Sequence, residues 1–464
     1  MRRTVALRER GRVAALLNSI LVAARRRGTW QEPDPRNVRT WRQLVLGVLV
    51  TRSTRLLQLG QAVLAARQAS RVKTAALGLG YFLTRADFPM GGFSRRLLLA
   101  LVRALPPERL ARYRGLALLV VDPTEYPKRS RGRGKQGRQM QHIGRVRRKA
   151  HGQPKAKRGK ATAPGRPKPP SAEPAATCGY VDVWAGLVLA GKQFLPLDRQ
   201  LFSSARPGLP SQPAVEDAVL GRALAMARAL AVPCIVVGDR GLGRKERPIA
   251  LATRRQACVF RIDADIAVLS PRGPAPLLLA DLLAQQPWLG ETVWDGGDDG
   301  PTRCRVRAAR ATIRFSRTGQ QADYTEATLN FVALVRFDPR RESLVLATTL
   351  PVRTLAECRG VAWVYSQRWS IEAAFETLKA WGLERFMVRA WRAIDRLLWI
   401  VALAYSLMAL ALHDQRLARW RQQASTLLWQ LTVLGRRLTP GKLAEALGLD
   451  FARHRRAWLA VWLH

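Results

Sequence analysis

The stretch Leu-Ala-Leu-Leu-Val-Val-Asp at residues 116–122 is a continuous apolar run that ends in an acid. A second run of this kind, Ile-Val-Val-Gly-Asp, occupies residues 235–239. Such runs are typical of strands that are buried on both faces of a sheet. Residues 181–197 between them predict two strands joined by a glycine-bearing turn, and residues 214–230 predict a helix. This order of strand, hairpin, helix and strand indicates an α/β fold with helices packed on a mixed sheet.

Charge is the most unusual property of the chain. Its 464 residues include 78 Lys and Arg against 33 Asp and Glu, which gives a formal net charge of +45. The hydrophobic content of 48% is enough to bury a core, so a fully disordered polycation is excluded. A positive charge of this size is typical of proteins that bind nucleic acid phosphate or an anionic membrane surface. Composition alone does not distinguish these two kinds of partner.

Part of this charge is concentrated in a low-complexity insert at residues 127–170. The insert carries 16 Lys and Arg and no Asp or Glu in 44 residues. Such a segment cannot bury a core, so we expect it to be disordered when free and to bind phosphate. A solvated loop with no role beyond solubility is the alternative. The remainder of the chain still has a net charge of +29, so basicity is a global property.

Residues 397–412 are sixteen residues without a charge, which is short for a membrane span of about 20 residues. We therefore expect a buried core helix there and no membrane partner. The five Cys and five His are scattered, so the sequence predicts neither a disulfide framework nor a zinc site. Any metal would have to be held by carboxylates. No secretory signal is evident after the basic N-terminus, and we expect the protein to stay in a reducing cytoplasm.

Helical regions and a β-rich segment surround the α/β nucleus in the predicted domain order. Residues 1–107 show apolar positions at helical spacing with arginines between them, and predict a helical N-terminal region. We assign DNA binding to it from its position and charge, although any basic helical domain would show the same pattern. Residues 108–255 and 351–415 form the two parts of the α/β domain. Residues 256–350 predict a β-rich insertion between these parts. Residues 416–464 predict a helical C-terminal region, which is a candidate dimer interface.

Three acids stand out by position, namely Asp122 and Asp239 at the ends of the apolar strands and Glu372 on a later helix. Glu372 lies in the run YSQRWSIEAAFETLK at residues 365–379. At about 100° per residue, one helical arc of about 60° would present a hydroxyl, two cations and a carboxylate. These side chains are Tyr365, Arg368, Glu372 and Lys379. The alternatives are a turn or cap role for each Asp and an ordinary charged helix face with an i,i+4 pair.

This run resembles the Y-x2-R-x3-E-x6-K signature of the DDE transposases of bacterial insertion sequences. Every position of the signature is matched, by Tyr365, Arg368, Glu372 and Lys379. The resemblance extends to VVDPTEYPKR around Asp122 and VVGDRGLGRK around Asp239, and covers roughly residues 110–410. It implies a ribonuclease H-like mixed sheet with flanking helices, interrupted by a β-rich insertion between the second Asp and the Glu.

The resemblance also implies metal-dependent cleavage of DNA at the ends of a mobile element and strand transfer into target DNA. It assigns Asp122, Asp239 and Glu372 as catalytic residues and ligands of two Mg²⁺ or Mn²⁺ ions, which suit hard oxygen ligands. It assigns the binding of DNA phosphates to Tyr365, Arg368 and Lys379. The implied partners are double-stranded DNA, as terminal inverted repeats and target DNA, and a second copy of the chain. The implied location is the cytoplasm, in association with the nucleoid.

Two other functions are compatible with these residues. The first is a catalytically silent DNA-binding protein derived from a transposase, and the second is a simple DNA nuclease of the same fold. Some relatives stack a flipped base on a Trp of the insertion, but an aromatic residue in a β-rich segment is more often core. Trp288 and Trp294 are therefore not assigned to the site. The glycine-rich residues 238–245 do not fit a phosphate loop, because Arg244 stands where the loop Lys belongs.

Overall fold

In a computed structural model, the described part of the chain forms a mixed sheet that is covered by helices. The structure describes residues 34–63, 71–103, 105–128, 140–147, 176–270, 275–295, 300–316, 324–338, 342–413, 422 and 439–463. The strands are β1 (Arg112–Tyr113), β2 (Leu116–Lys128), β3 (Gly144–Arg147), β4 (Ala176–Leu189), β5 (Gln193–Phe202), β6 (Cys234–Gly238), β7 (Cys258–Arg261), β8 (Ala267–Leu269), β9 (Pro276–Leu278), β10 (Gly290–Trp294), β11 (Thr302–Phe315), β12 (Thr325–Arg336) and β13 (Leu344–Thr348).

The α-helices flank this sheet in sequence and in space. They are α1 (Pro35–Thr51), α2 (Leu56–Val63), α3 (Val72–Thr84), α4 (Met90–Arg103), α5 (Gln212–Ala229), α6 (Glu246–Thr253), α7 (Leu279–Ala284), α8 (Leu355–Ser366), α9 (Trp369–Ala380), α10 (Trp391–Ala411) and α11 (Pro440–Leu463). Helices α1 to α4 lie where the sequence predicts a helical N-terminal region, whose role in DNA binding stays a prediction.

The described strands belong to one sheet with the order β3-β4-β2-β6-β7-β13-β12-β11-β8-β9. Strand β5 pairs with β4, β1 with β2 and β10 with β11. Strands β2, β6 and β7 run parallel, and the other pairs are antiparallel. The predicted α/β fold with a mixed sheet is therefore confirmed. The β-rich character of residues 256–350 is also observed, although these strands continue the central sheet, and the division into domains stays a prediction.

Strand β2 continues beyond the acid that was expected to end it. It pairs with β6 only from Ala117 to Val120 but with β4 as far as Lys128. Asp122 therefore lies within a strand, and the prediction that it ends one is wrong. The physical reason is the long strand β4, which supplies backbone hydrogen bonds after β6 has ended.

The described part of the basic insert is ordered. Lys128 still belongs to β2, and β3 (Gly144–Arg147) pairs with β4. The predicted disorder of residues 127–170 is wrong for these residues, because the edge of β4 offers backbone partners and Val146 is buried. The rest of the insert, residues 129–139 and 148–170, lies outside the described residues.

Helix α10 contains most of the apolar segment at residues 397–412. It is long and apolar enough to cross a membrane, but its most apolar window is 94% buried inside the protein. The buried Arg396 donates hydrogen bonds to the carbonyl oxygens of Phe82, Ala86 and Phe88 around the end of α3. The prediction of a core helix is confirmed, and α10 connects the N-terminal helices to the sheet.

Candidate active site

The first two acids lie near the same end of strand β6, at the centre of the sheet. Val120 of β2 is the register partner of Val237 of β6, and the two strands are parallel. Asp122 lies two residues beyond Val120, and Asp239 follows directly after β6 ends at Gly238. Both acids are therefore near the carboxyl end of β6, and the charge of Arg368 acts on both.

Close backbone packing explains two of the glycines around Asp239. A Cβ atom at Gly243 would lie 2.1 Å from the carbonyl oxygen of Arg261, and one at Gly238 would lie 2.5 Å from the ring of Phe260. Only glycine allows the loop to approach β7 so closely. Packing thus accounts for Gly238 and Gly243, whereas a Cβ atom at Gly241 would meet open space.

Glu372 comes from a helix that is shorter than predicted. The run at residues 365–379 forms two helices, α8 and α9, with Gln367 and Arg368 between them. Backbone bonds from Arg368 to Tyr365 and from Ile371 to Arg368 span three residues instead of four. Such bonds tighten the turn, so the single continuous arc predicted for the four signature residues is wrong. The apolar face of α9 packs into the protein, because Ile371, Phe375 and Leu378 are buried.

Arg368 lies between two of the acids. Its Nη1 is 2.5 Å from Oε1 of Glu372 and 3.6 Å from Oδ2 of Asp122. The residue is only 4% exposed, so this contact is more than the surface i,i+4 pair considered above. Burial opposes the charge of the guanidinium, but Tyr365 and the three acids outweigh it and raise the pKa of Arg368. Arg368 therefore offsets part of the negative charge of the site.

Asp239 is tied to the same group through Tyr365. The hydroxyl of Tyr365 donates a hydrogen bond to Oδ1 of Asp239 at 2.9 Å. Burial opposes ionisation of Asp239, but Arg368, the amide of Arg240 and this hydroxyl together lower its pKa. Burial is also the main reason that the pKa of Tyr365 is raised. Asp239 is therefore held as a carboxylate, and Tyr365 as a neutral donor.

Lys379 is the one predicted site residue for which no contact with the acids is found among the described residues. Its Nζ forms an ion pair with Glu384 at 3.0 Å. A second cation near Glu384 was not predicted from the sequence. The Nζ of Lys128 donates a hydrogen bond to the carbonyl oxygen of Glu384 at 2.7 Å and lies 3.2 Å from the ring centroid of Phe386. Burial lowers the pKa of Lys128 to about 7, although Glu384 opposes this. Two lysines therefore flank Glu384.

A buried polar network supports the site from β4 and β5, and it was also missed. Trp184 is the register partner of Asp122, and its ring packs edge-on against Phe375 of α9 at 5.9 Å between centroids. Its Nε1 donates to Asp182 at 2.7 Å, and Asp182 is paired with the fully buried Arg199. Trp184 thus connects the strand of Asp122 to the helix of Glu372. Asp182 is a polar residue within an otherwise apolar stretch of sequence, and this feature could have indicated the buried network.

The two tryptophans of the β-rich segment have different environments. Trp294 is 4% exposed and stacks on Tyr365, with centroids 6.0 Å apart and an interplanar angle of 23°. Trp288 is 40% exposed, and the guanidinium of Arg307 lies 3.6 Å from its ring centroid. The interpretation as core therefore holds for Trp294 and not for Trp288.

The donor set of the site is compatible with divalent cations. Asp122 and Glu372 already share one positive group, and their carboxylate oxygens are the ligands that Mg²⁺ and Mn²⁺ prefer. Within the described ranges, however, no three acidic, histidine or cysteine side chains lie close enough together to hold one ion. A metal would therefore compete with Arg368 for the two acids.

Comparison with known proteins finds a similarity that covers part of the chain. Residues 214–407 match the family described as the transposase DDE domain. This range begins after Asp122 and includes Asp239 and the signature residues Tyr365, Arg368, Glu372 and Lys379. No curated protein matches the chain. Residues 214–407 of the chain are therefore similar to the transposase DDE domain.

Proposed function

We propose that this protein is an insertion-sequence transposase that cleaves DNA at the ends of its element and transfers the strands into target DNA. One observation carries the proposal: Asp122, Asp239 and Glu372 surround a single buried pair, Arg368 and Tyr365, within a chain that is similar in part to the transposase DDE domain. Three acids around one cation in a strongly basic protein are suited to phosphodiester chemistry, because they can receive cations while DNA binds beside them.

In this proposal, Asp122, Asp239 and Glu372 would hold two Mg²⁺ or Mn²⁺ ions. Bound there, such ions would supply activation of a water or a DNA 3′-hydroxyl and stabilisation of the leaving oxygen of an in-line displacement. Tyr365 orients Asp239 through its hydroxyl. Arg368 keeps Asp122 and Glu372 together in the free protein, and its planar guanidinium is suited to a phosphate group.

The proposal extends to the fold and the partners. The parallel pair β2 and β6, flanked by antiparallel β4 and β5, supports a ribonuclease H-like sheet, with β8 to β12 as its β-rich insertion. The partners are the terminal inverted repeats and target DNA, bound by a homodimer on paired ends. Lys379 contacts DNA after leaving Glu384. The protein acts in the cytoplasm, at the nucleoid.

The test is cleavage and strand transfer on a DNA fragment with the flanking inverted repeats, in Mg²⁺ or in chelator. Wild type is compared with Glu372→Gln, and with Glu326→Gln as a control that loses an exposed acid paired with Arg314. We expect metal-dependent cutting at the repeat ends that is lost in Glu372→Gln, retained in the control, and accompanied by unchanged DNA binding.

The same assay separates the alternatives. Binding without cutting by any of the proteins would contradict an enzyme and favour a silent DNA-binding protein. Cutting without joined products would favour a simple nuclease. The compensation of the acids by Arg368 favours the enzyme, because a purely DNA-binding protein gains nothing from burying a cation among three acids.

A further inference from the structure

A cleft of about 490 Å³ lies on the β-rich segment, away from the three acids. It is bounded by one face of β11 and β12, by the loop that leads to β10, and by the segment between β13 and α8. Its lining residues are Gln286, Pro287, Leu289, Ala308, Ala309, Arg310, Thr328, Asn330, Thr349, Pro351, Val352 and Arg353. This volume falls in the range of about 300–1,000 Å³ that is typical of ligand sites.

Arg310 differs from the other arginines of β11, because its side chain has no ion-pair, hydrogen-bond or ring partner in the described part of the chain. The others are engaged by acids, carbonyl oxygens or aromatic rings: Arg303 and Arg305 by Glu291, Arg307 by Ala284 and Trp288, and Arg314 by Glu326. Among the described residues, the side chain of Arg310 makes no ion pair, and the same is true of Arg353. Both are exposed and both line the cleft, which therefore carries two uncompensated positive charges.

The remaining lining residues indicate which part of a nucleic acid fits. The described lining contains no acid, so nothing in it repels phosphate. It also contains no aromatic ring on which a base could stack. Threonine and asparagine side chains, which commonly contact sugar and phosphate oxygens, line it beside the arginines. These properties favour the sugar–phosphate backbone over a free nucleotide base.

We propose that this cleft binds the phosphate backbone of DNA outside the catalytic centre. The proposal rests on the proposed function, and it assigns Arg310 and Arg353 as phosphate-binding residues. The segment from Thr349 to Arg353 leads directly into α8, which carries Tyr365 on its last turn. A duplex held in the cleft is therefore anchored to the element that orients Asp239.

The experiment measures DNA affinity as a function of salt for the full chain, with a short duplex that carries a terminal repeat. The variant Arg310→Gln with Arg353→Gln is compared with Arg303→Gln with Arg314→Gln, which removes the same charge from arginines that are already paired. Each phosphate contact contributes about 0.9 to the slope of log K against log salt. We expect the slope to fall by about 1.8 in the cleft variant and to change much less in the control.

Equal effects in the two double variants would overturn the proposal, since they would reflect net charge alone. A second variant, Arg310→Lys with Arg353→Lys, keeps the charge and should restore most of the slope, which excludes a folding defect as the cause. Failure of the proposed function has a different signature: wild type would then bind this duplex without cutting it, whatever the cleft variants do.

Discussion

Replacement of Arg199 by Met tests the buried network that supports Asp122 and Glu372. Arg199 and Asp182 both have fully buried side chains, and Arg199 donates to the Asp182 carboxylate at 2.7, 2.9 and 3.0 Å. In the variant, Asp182 keeps the donors Tyr126 and Trp184 but loses its counter-charge. Removal of one partner of a buried pair costs about 3–5 kcal/mol. Protonation of Asp182 reduces part of this cost, so we expect the free energy of unfolding to fall by about 3 kcal/mol.

The pH dependence of this loss of stability shows whether Asp182 takes up a proton in the variant. Burial already raises the pKa of Asp182 above its ordinary value, although Arg199 opposes this. Without Arg199 the pKa rises further, so the folded state binds a proton more tightly than the unfolded state. Stability is then highest at low pH and is lost as pH rises through the folded pKa of Asp182. The difference between wild type and variant therefore grows from pH 4 towards pH 8.

The assay is urea denaturation followed by tryptophan fluorescence at several pH values. Arg303→Met is the control, because its pair with Glu291 is exposed and should be worth at most about 1 kcal/mol. The double variant Asp182→Asn with Arg199→Met keeps an acceptor for Tyr126 and Trp184 and should recover part of the stability. A loss below about 1 kcal/mol in Arg199→Met, or a loss that does not depend on pH, would refute the reasoning.

Two further predictions concern the site itself. Tyr365→Phe removes the hydrogen bond to Asp239, and an outer hydrogen bond of this kind is worth about 10- to 100-fold in metal affinity. Calorimetric titration of the DNA-free protein with Mn²⁺ measures this, and unchanged affinity would contradict the role of Tyr365. Lys128 has its pKa lowered by burial to about 7, so its stabilising contribution is present at high pH and is lost as pH falls through that value. The unfolding free energy of wild type should therefore rise between about pH 7 and 10, by up to about 1.4 kcal/mol per pH unit, relative to Lys128→Met. Parallel pH profiles of the two proteins in urea denaturation would show that Lys128 titrates normally.

The central strands could be predicted because burial on both faces leaves a plain apolar signal. The continuation of β2 could not, since Pro123 and Pro127 usually indicate the end of a strand. These prolines are tolerated because β6 pairs with β2 only as far as Val120, so one edge of the strand needs no further N–H donors. The pairing of β2 with β4 on one edge and only briefly with β6 on the other is a property of the whole sheet, and the local sequence does not encode it.

The site residues were predictable from spacing, but their geometry was not. Helix periodicity treats residues 365–379 as one helix, whereas Arg368 lies in a turn where it contacts Asp122, which is far away in sequence. Lys379 was expected on the same face and instead meets Glu384, which lies in the turn after α9. The support from Trp184 and Asp182 likewise depends on the pairing of β2 with β4, which no local pattern encodes.

The stacking of Trp294 on Tyr365 connects the β-rich segment to the candidate site. Two side chains in series, an indole and a phenol, connect strand β10 to the carboxylate of Asp239. The guanidinium of Arg359 on α8 fastens the same strand through the carbonyl oxygen of Glu291 at 2.6 Å. A displacement of β10 can therefore reach Asp239 through these two side chains and not through the strands of the central sheet. The hairpin of β10 and β11 is thus coupled to Asp239 through the side chains of Trp294 and Tyr365.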